Sequence, residues 1–207
     1  FQTNVVSTQG ILETSKKNNI EKFIFISSAA VYGMGNRGIF KETDPCFPVS
    51  NYALSKYWGE QQTRLYYDLY DLPTTSIRFF SVYGSPQIPK QGSHSWAVAI
   101  FGALAKKGKP ITVFGDGNQI RDFTHVTDIA ESVVLSTEKN STNGKFFNVG
   151  TGKPDTFINV GKILIKYLGY GKINYINFPN HLKNKYQYYT KASLLKLKKL
   201  GFSGRTM

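Results

Sequence analysis

Three side chains stand where they could move a proton at an alcohol carbon. In Asn51-Tyr52-Ala53-Leu54-Ser55-Lys56 a phenol and an amine are four residues apart. On a helix, positions i and i+4 lie one above the other on the same face. Upstream, Phe23-Ile24-Phe25-Ile26-Ser27-Ser28 is an apolar, β-rich run that ends in two serines. It reads as a buried strand with hydroxyls at its mouth. A cation beside a phenol favours the phenolate, the form that accepts a proton, and a serine hydroxyl can bond the same substrate oxygen. Taken alone, Tyr-x-x-x-Lys also describes an amphipathic pair with stems buried and tips in water. The strand ending in serines is what argues for chemistry.

Such groups need rigid elements to hold them. The segment 50–70 has Ser50 or Asn51 as a cap and no internal proline, so it predicts a helix. Before it, 1–19 reads as a helix with Val5, Ile11 and Leu12 on its apolar side, followed by a strand over 22–27. Further strands are predicted over 74–80, 111–114, 145–149 and 173–176. Helices are predicted within 95–107 and over 127–137, 159–168 and 191–200. Alternation of this kind predicts an α/β fold with a largely parallel sheet and a small mixed lobe.

The chain of 207 residues is 41% hydrophobic and 14% aromatic, an ordinary globular composition. Its one cysteine, Cys46, excludes an intramolecular disulfide framework and fits a reducing compartment. His94, His125 and His181 have no paired spacing, so no metal site is expected. Neither a signal-peptide pattern nor an apolar run of ~20 residues is found, and the expected location is cytoplasmic, away from membranes. The formal net charge of +13 comes without a nucleic-acid-binding motif. It is read as a lysine-rich solvated surface that also favours an anionic ligand, not as a nucleic-acid surface.

The order strand, Ser27-Ser28, Val31-Tyr32-Gly33, loop, Tyr52-x-x-x-Lys56 resembles the extended short-chain dehydrogenases/reductases, the nucleotide-sugar epimerases and dehydratases. The resemblance implies a partial Rossmann-type, doubly wound parallel sheet with a small mixed α/β substrate lobe. Residues 1–83 and 124–150 would belong to the dinucleotide-binding domain, and 84–123 and 151–207 to the lobe. The glycine-rich turn that seats a dinucleotide pyrophosphate is not found. Gly33-x-Gly35-x-x-Gly38 has its spacing but precedes no predicted helix, and is read as a coincidence.

By the same resemblance, Ser28 bonds the reacting sugar oxygen, Tyr52 is the acid/base, and Lys56 holds the nicotinamide ribose of NAD or NADP. Asn4 and Ser27 are further candidate cofactor contacts. Dehydratases of this family carry an acidic pair after the serine, whereas this chain has Ala29 and Ala30. Elimination of water is therefore disfavoured, and epimerisation is favoured. Arg78-Phe79-Phe80-Ser81-Val82-Tyr83-Gly84 resembles the second substrate motif, with Ser81 where many members have Asn. The segment from Phe114 to Phe123 resembles the one whose arginine, here Arg121, clamps the substrate diphosphate, a task that suits a planar guanidinium.

The C-terminal part resembles ADP-glycero-manno-heptose 6-epimerases, through Phe178-Pro179, Tyr186-Gln187, Tyr189-Thr190-Lys191-Ala192 and Leu200-Gly201-Phe202. In that family a lysine acts as a second base, and Lys90 falls at the matching offset; Tyr186 matches its substrate-binding tyrosine. The middle of the chain is closer to UDP-hexose 4-epimerases, which need only the tyrosine. A nucleotide-diphosphate sugar is the implied partner, with a possible homodimer through the Tyr52 helix. A chain that lacks its cofactor half and does not catalyse is the remaining alternative.

Overall fold

The computed structural model describes residues 2–34, 38–89, 97–182 and 186–204. A π-helical turn, Gln2–Val6, runs into α1 (Ser7–Lys17) and then β1 (Phe23–Ser28). A 3₁₀ turn, Ala29–Tyr32, follows the strand, and after a loop comes α2 (Asn51–Tyr70). Ser50 caps α2, its Oγ accepting the Ala53 N–H at 3.1 Å. Next are β2 (Thr74–Phe79), β3 (Val82–Tyr83), α3 (Ala97–Lys106) and β4 (Ile111–Phe114). The remainder comprises β5 (Ile120–Arg121), β6 (Thr124–His125), α4 (Val126–Glu138) and β7 (Lys145–Val149). β8 (Asp155–Thr156), α5 (Phe157–Leu168), β9 (Ile173–Ile176) and α6 (Leu195–Lys198) complete it. No described helix is long and apolar enough to cross a membrane.

The main sheet has the order β1-β2-β7 and is parallel throughout, with Ser28 opposite Phe79 and Phe79 opposite Val149. The central strand β2 is buried on both faces yet polar, and its alternation sorts the two helical layers. Thr74, Ser76 and Arg78 point to α2. There Thr74 Oγ1 donates to Thr63 O at 2.9 Å, and Ser76 Oγ lies 2.9 Å from Thr63 Oγ1. Thr75 and Ile77 point the other way. Thr75 donates to Thr142 O at 3.0 Å, while Ile77 joins Ile129, Phe147, Val149 and Leu197 in a core under α4 and α6. Helices on both faces of a parallel sheet make this the Rossmann-type, doubly wound α/β fold that the sequence predicts.

Helix α2 lies hard against the sheet. A Cβ on Gly59 would meet the Phe25 ring at 2.1 Å, so only glycine permits the approach. At the next residue, Glu60 forms a two-pronged ion pair with Arg78, Nε to Oε1 at 2.8 Å and Nη2 to Oε2 at 2.7 Å. Both residues are buried. The lobe has its own core, in which Phe101 and Ala105 of α3 pack on Ile111 and Val113 of β4, with Val160 and Leu164 of α5 against them.

The final helix is shorter than predicted. In place of 191–200 only Leu195–Lys198 is α-helical. The preceding backbone is used sideways: Phe40 N–H donates to Lys191 O and Ser193 N–H to Phe40 O, both at 2.8 Å, while Ala192 N–H donates to Asp122 Oδ2 at 2.9 Å. Helical i→i−4 bonding would forfeit these contacts. The 3₁₀ turn and the two-residue strands are too short to leave a periodic signal.

Breaking a buried pair leaves an uncompensated charge, which costs about 3–5 kcal/mol. Glu60→Gln is expected to lower unfolding free energy by that amount in urea titrations. A loss under about 1 kcal/mol, the scale of an exposed pair, would show that Arg78 does not depend on Glu60.

Candidate functional site

The site forms where β1 and β2 end. Ser28 is the last residue of β1, and its Oγ accepts the Ala30 N–H at 3.2 Å, which fixes the hydroxyl at the entry of the 3₁₀ turn. Lys56 Nζ donates to Ile26 O at 2.9 Å, pinning the first half of α2 across the end of the same strand. The ammonium stands 6.0 Å from the centre of the Tyr52 ring and 5.4 Å from that of Phe25. Burial lowers the Lys56 pKa from its ordinary value. Tyr52 is 52% exposed, so its phenol is open to a ligand. The structure therefore gathers Ser28, Tyr52 and Lys56 at one strand end.

Asn4 joins them through the backbone of α2. Its Nδ2 donates to Ser55 Oγ at 3.1 Å, and Ser55 in turn donates to Tyr52 O at 2.8 Å. The Ser27 side chain differs from expectation. Its hydroxyl is buried and donates to Glu60 Oε1 at 2.5 Å, so it serves the ion pair and any cofactor contact would fall to its backbone. Alternation along β1 is the reason: if Ser28 faces the opening, Ser27 faces α2.

Ser81 sits just past β2 with φ of 25°, in the left-handed region that non-glycine residues seldom occupy. Its carbonyl accepts the Thr124 N–H at 3.2 Å. This bond, with the β3–β6 pairing, brings the strand that follows Arg121 to the edge of the site. The Arg121 guanidinium donates to Ile120 O at 2.8 Å and rests against the rings of Tyr186 (4.9 Å) and Phe157 (5.6 Å). Among the described residues it forms no ion pair. Burial lowers its pKa, with Tyr186 opposing, and burial raises that of Tyr186. A guanidinium held by rings and one carbonyl keeps donors for an anion. Phe114 reaches this group through Phe178, at 5.7 Å between ring centres, and Phe178 meets Tyr186 at 5.0 Å.

Asp122 is taken up by the protein's own backbone and one hydroxyl. Its buried carboxylate accepts from Thr151 N (2.7 Å), Thr151 Oγ1 (2.6 Å), Gly152 N (3.0 Å) and Ala192 N (2.9 Å), which ties the 150–152 turn to the C-terminal segment. Gly33, first of the spaced glycines, is needed for a local reason. Its φ is +70° and a Cβ would lie 1.9 Å from Phe47 O. Lys90 lies outside the described residues. A cavity of about 290 Å³ between α3 and α5, bordered by Tyr83, Phe123 and Leu164, is lined by none of the predicted site residues. Sequence reading missed Glu60 and gave no role to Gln187, whose Nε2 donates to Gly33 O at 2.7 Å. Glu60 was detectable as the residue one further helical turn, i+4, from Lys56.

Residues 1–150 match the NAD dependent epimerase/dehydratase family. A Methanocaldococcus jannaschii protein provisionally named UDP-glucose 4-epimerase is 38% identical over 165 residues, 79% of this chain and 52% of its own. The ADP-L-glycero-D-manno-heptose-6-epimerase of Brachyspira hyodysenteriae is 32% identical over 205 residues, 98% of this chain and 64% of its own. The crystal structure of the Thermus thermophilus UDP-glucose 4-epimerase complexed with NAD superposes with a TM-score of 0.90 at 29% identity, covering 100% of this chain and 66% of that one. The chain thus spans from about half to about two thirds of the length of these relatives. Since the matched stretch runs from the first helical turn to the end of the main sheet, the chain belongs to the NAD dependent epimerase/dehydratase family.

Proposed function

We propose that the chain is the substrate-handling part of a nucleotide-diphosphate-sugar epimerase. The observation that carries this reading is the bond from Lys56 Nζ to Ile26 O, which holds Tyr52 and Lys56 at the strand end that bears Ser28. In this reading Ser28 bonds a sugar hydroxyl and Tyr52 removes its proton as the carbon is oxidised to a ketone. When the ketone is reduced from its other face the proton is returned by Tyr52 or, in the two-base form of the reaction, by Lys90. A nicotinamide dinucleotide, when bound, would supply the acceptor and donor of hydride. The donor set suits the nicotinamide ribose of NAD or NADP: an ammonium has three N–H groups, and among the described residues Lys56 spends one on Ile26 O. Asn4 acts behind it, through Ser55 and the Tyr52 backbone.

Arg121 binds the diphosphate, Tyr186 and Phe114 line its side of the lobe, and Ser81 meets the sugar. Residues 1–83 and 124–150 form the cofactor side, and 84–123 and 151–207 the substrate lobe. Ala29 and Ala30 offer no carboxyl beside Ser28, which supports epimerisation over dehydration. An ADP-glycero-manno-heptose 6-epimerase is the first assignment, supported by similarity along 98% of the chain, with Lys90 as its second base. A UDP-glucose 4-epimerase is the second, supported by the 38% identity to the Methanocaldococcus protein. The same reading includes a cytoplasmic setting and a homodimer through α2, whose Leu65 and Leu69 are exposed.

Tyr52→Phe should lower turnover of the nucleotide sugar by at least about a hundredfold and leave its binding nearly intact by calorimetry. Retained turnover would remove Tyr52 from the mechanism. Arg121→Leu should weaken binding of free nucleoside diphosphate by about tenfold or more, the scale of a charge-assisted bond. Unchanged affinity would place the diphosphate elsewhere.

A further inference from the structure

We propose that Gln187 is a positioning residue, which sets the Ser28 turn in register with the diphosphate-binding arginine. The proposal deepens the epimerase reading and rests on it. Two adjacent side chains leave the same segment in different directions. Tyr186 lies against the Arg121 guanidinium, 4.9 Å from ring centre to Cζ. Gln187 reaches the main sheet, where its Nε2 donates to Gly33 O at 2.7 Å and to Ala29 O at 3.4 Å. Those two carbonyls bracket the 3₁₀ turn Ala29–Tyr32, whose Ala30 N–H donates to Ser28 Oγ.

Both ends of this link are stiff. Gly33 has little room to turn, because Phe47 O occupies the space beside it, 1.9 Å from where a Cβ would stand. The 186–190 segment is bonded beside Arg121, with Ile120 N–H donating to Tyr188 O at 2.9 Å and Thr190 N–H to Ile120 O at 3.1 Å. Hydrogen bonds and short stretches of chain thus lead from Arg121 through Ile120, Tyr188, Gln187, Gly33 and Ala30 to the Ser28 hydroxyl. The carboxamide sets how far apart those two groups stand, and so which part of a sugar can lie beside Ser28 while its diphosphate is held. Misplacement of about 1 Å at a reacting centre costs about a hundredfold in rate, so one hydrogen-bonding side chain can have a large effect here.

The test is kinetic, in the protein as its cells make it. Gln187→Met keeps the length and removes both donors; Gln187→Glu keeps the shape and turns acceptors toward two carbonyl oxygens. For Gln187→Met, kcat should fall about tenfold, the value of one net hydrogen bond. KM and the calorimetric affinity for free nucleoside diphosphate should stay within about twofold. Gln187→Glu should lose more, and it carries the test if the methionine variant does not fold. In a Ser28→Ala background either substitution should have no further effect on kcat, because the residue acts through that hydroxyl. Equal fold losses in both backgrounds, or a lowered Tm with kcat unchanged, overturn the proposal alone. No turnover of UDP-hexoses or ADP-heptose by the unsubstituted protein overturns the epimerase reading, and this proposal with it.

Discussion

The Glu60–Arg78 pair fixes how α2 lies on the sheet, and the site follows from that. Burial alone would lower the arginine's pKa, but the two bonds from Glu60 outweigh it and hold the guanidinium above its ordinary value. The pair is also the centre of a network. Ser27 of β1 donates to Glu60, and Arg78 Nη1 donates to the Tyr32 phenol at 2.9 Å. Tyr32 donates to Asn148 Oδ1 of β7 at 2.7 Å, and the Asn148 N–H donates to Glu42 Oε1 at 2.9 Å. Three strands, one helix and the 40–42 segment meet in one connected polar cluster. A buried ion pair is weak evidence for stability by itself, since apolar packing can do as well. What it does supply is a position. If α2 slid by one turn, two charges would be buried unpaired. Tyr52, Lys56 and Glu60 are spaced by four, so the anchor and the proposed acid/base pair share a face and are set together.

The lobe is joined to the sheet by a similar device with neutral partners. Asp122 gathers three backbone N–H groups and one hydroxyl from two distant segments, and Gly150 makes room for it. A Cβ there would stand 2.8 Å from Asp122 Oδ2 and 2.6 Å from Ala192 Cβ. Its neighbour Arg121 is thereby held on a backbone that cannot drift, while its own side chain keeps donors to spare. The two adjacent residues divide the work between them. The carboxylate is fully used by the protein, and the guanidinium is not.

Much of this was legible in the sequence, and the limits have physical causes. The main-sheet strands and the helices of ten or more residues follow from apolar periodicity, capping and chain breakers, all of them local. That Ser28, Tyr52 and Lys56 would lie at one strand end was legible because they sit on two regular elements at fixed spacing. Ser27 was expected at the cofactor and Arg78 was given no role of its own, since the partner of each is what α2 presents, and Glu60 is far from both in sequence. The 191–194 segment looked helical because its composition is helical. Its backbone instead bonds to Phe40 and Asp122, partners about 150 and 70 residues away that no local pattern reveals. Gln187 stood within a recognised segment, but a single amide carries no signal of which carbonyls it will meet.

The arrangement separates two demands that conflict. In the epimerase reading, proton transfer needs groups held within a fraction of an ångström, and the groups proposed for it are placed on a strand end and a long helix fastened by a buried ion pair. Anion binding tolerates more freedom, and Arg121, the residue proposed for it, comes from a two-residue strand paired antiparallel to β8. A ligand held at both points is positioned by the connection between them. In the described residues that connection runs through Ser81 O to Thr124 N on one side and through Gln187 to Gly33 O on the other. Each is a small set of neutral hydrogen bonds, far cheaper to alter than the ion pair. On the epimerase reading, substitutions that change which sugar fits should therefore act at this joint, where spacing can change while Ser28, Tyr52 and Lys56 stay in place.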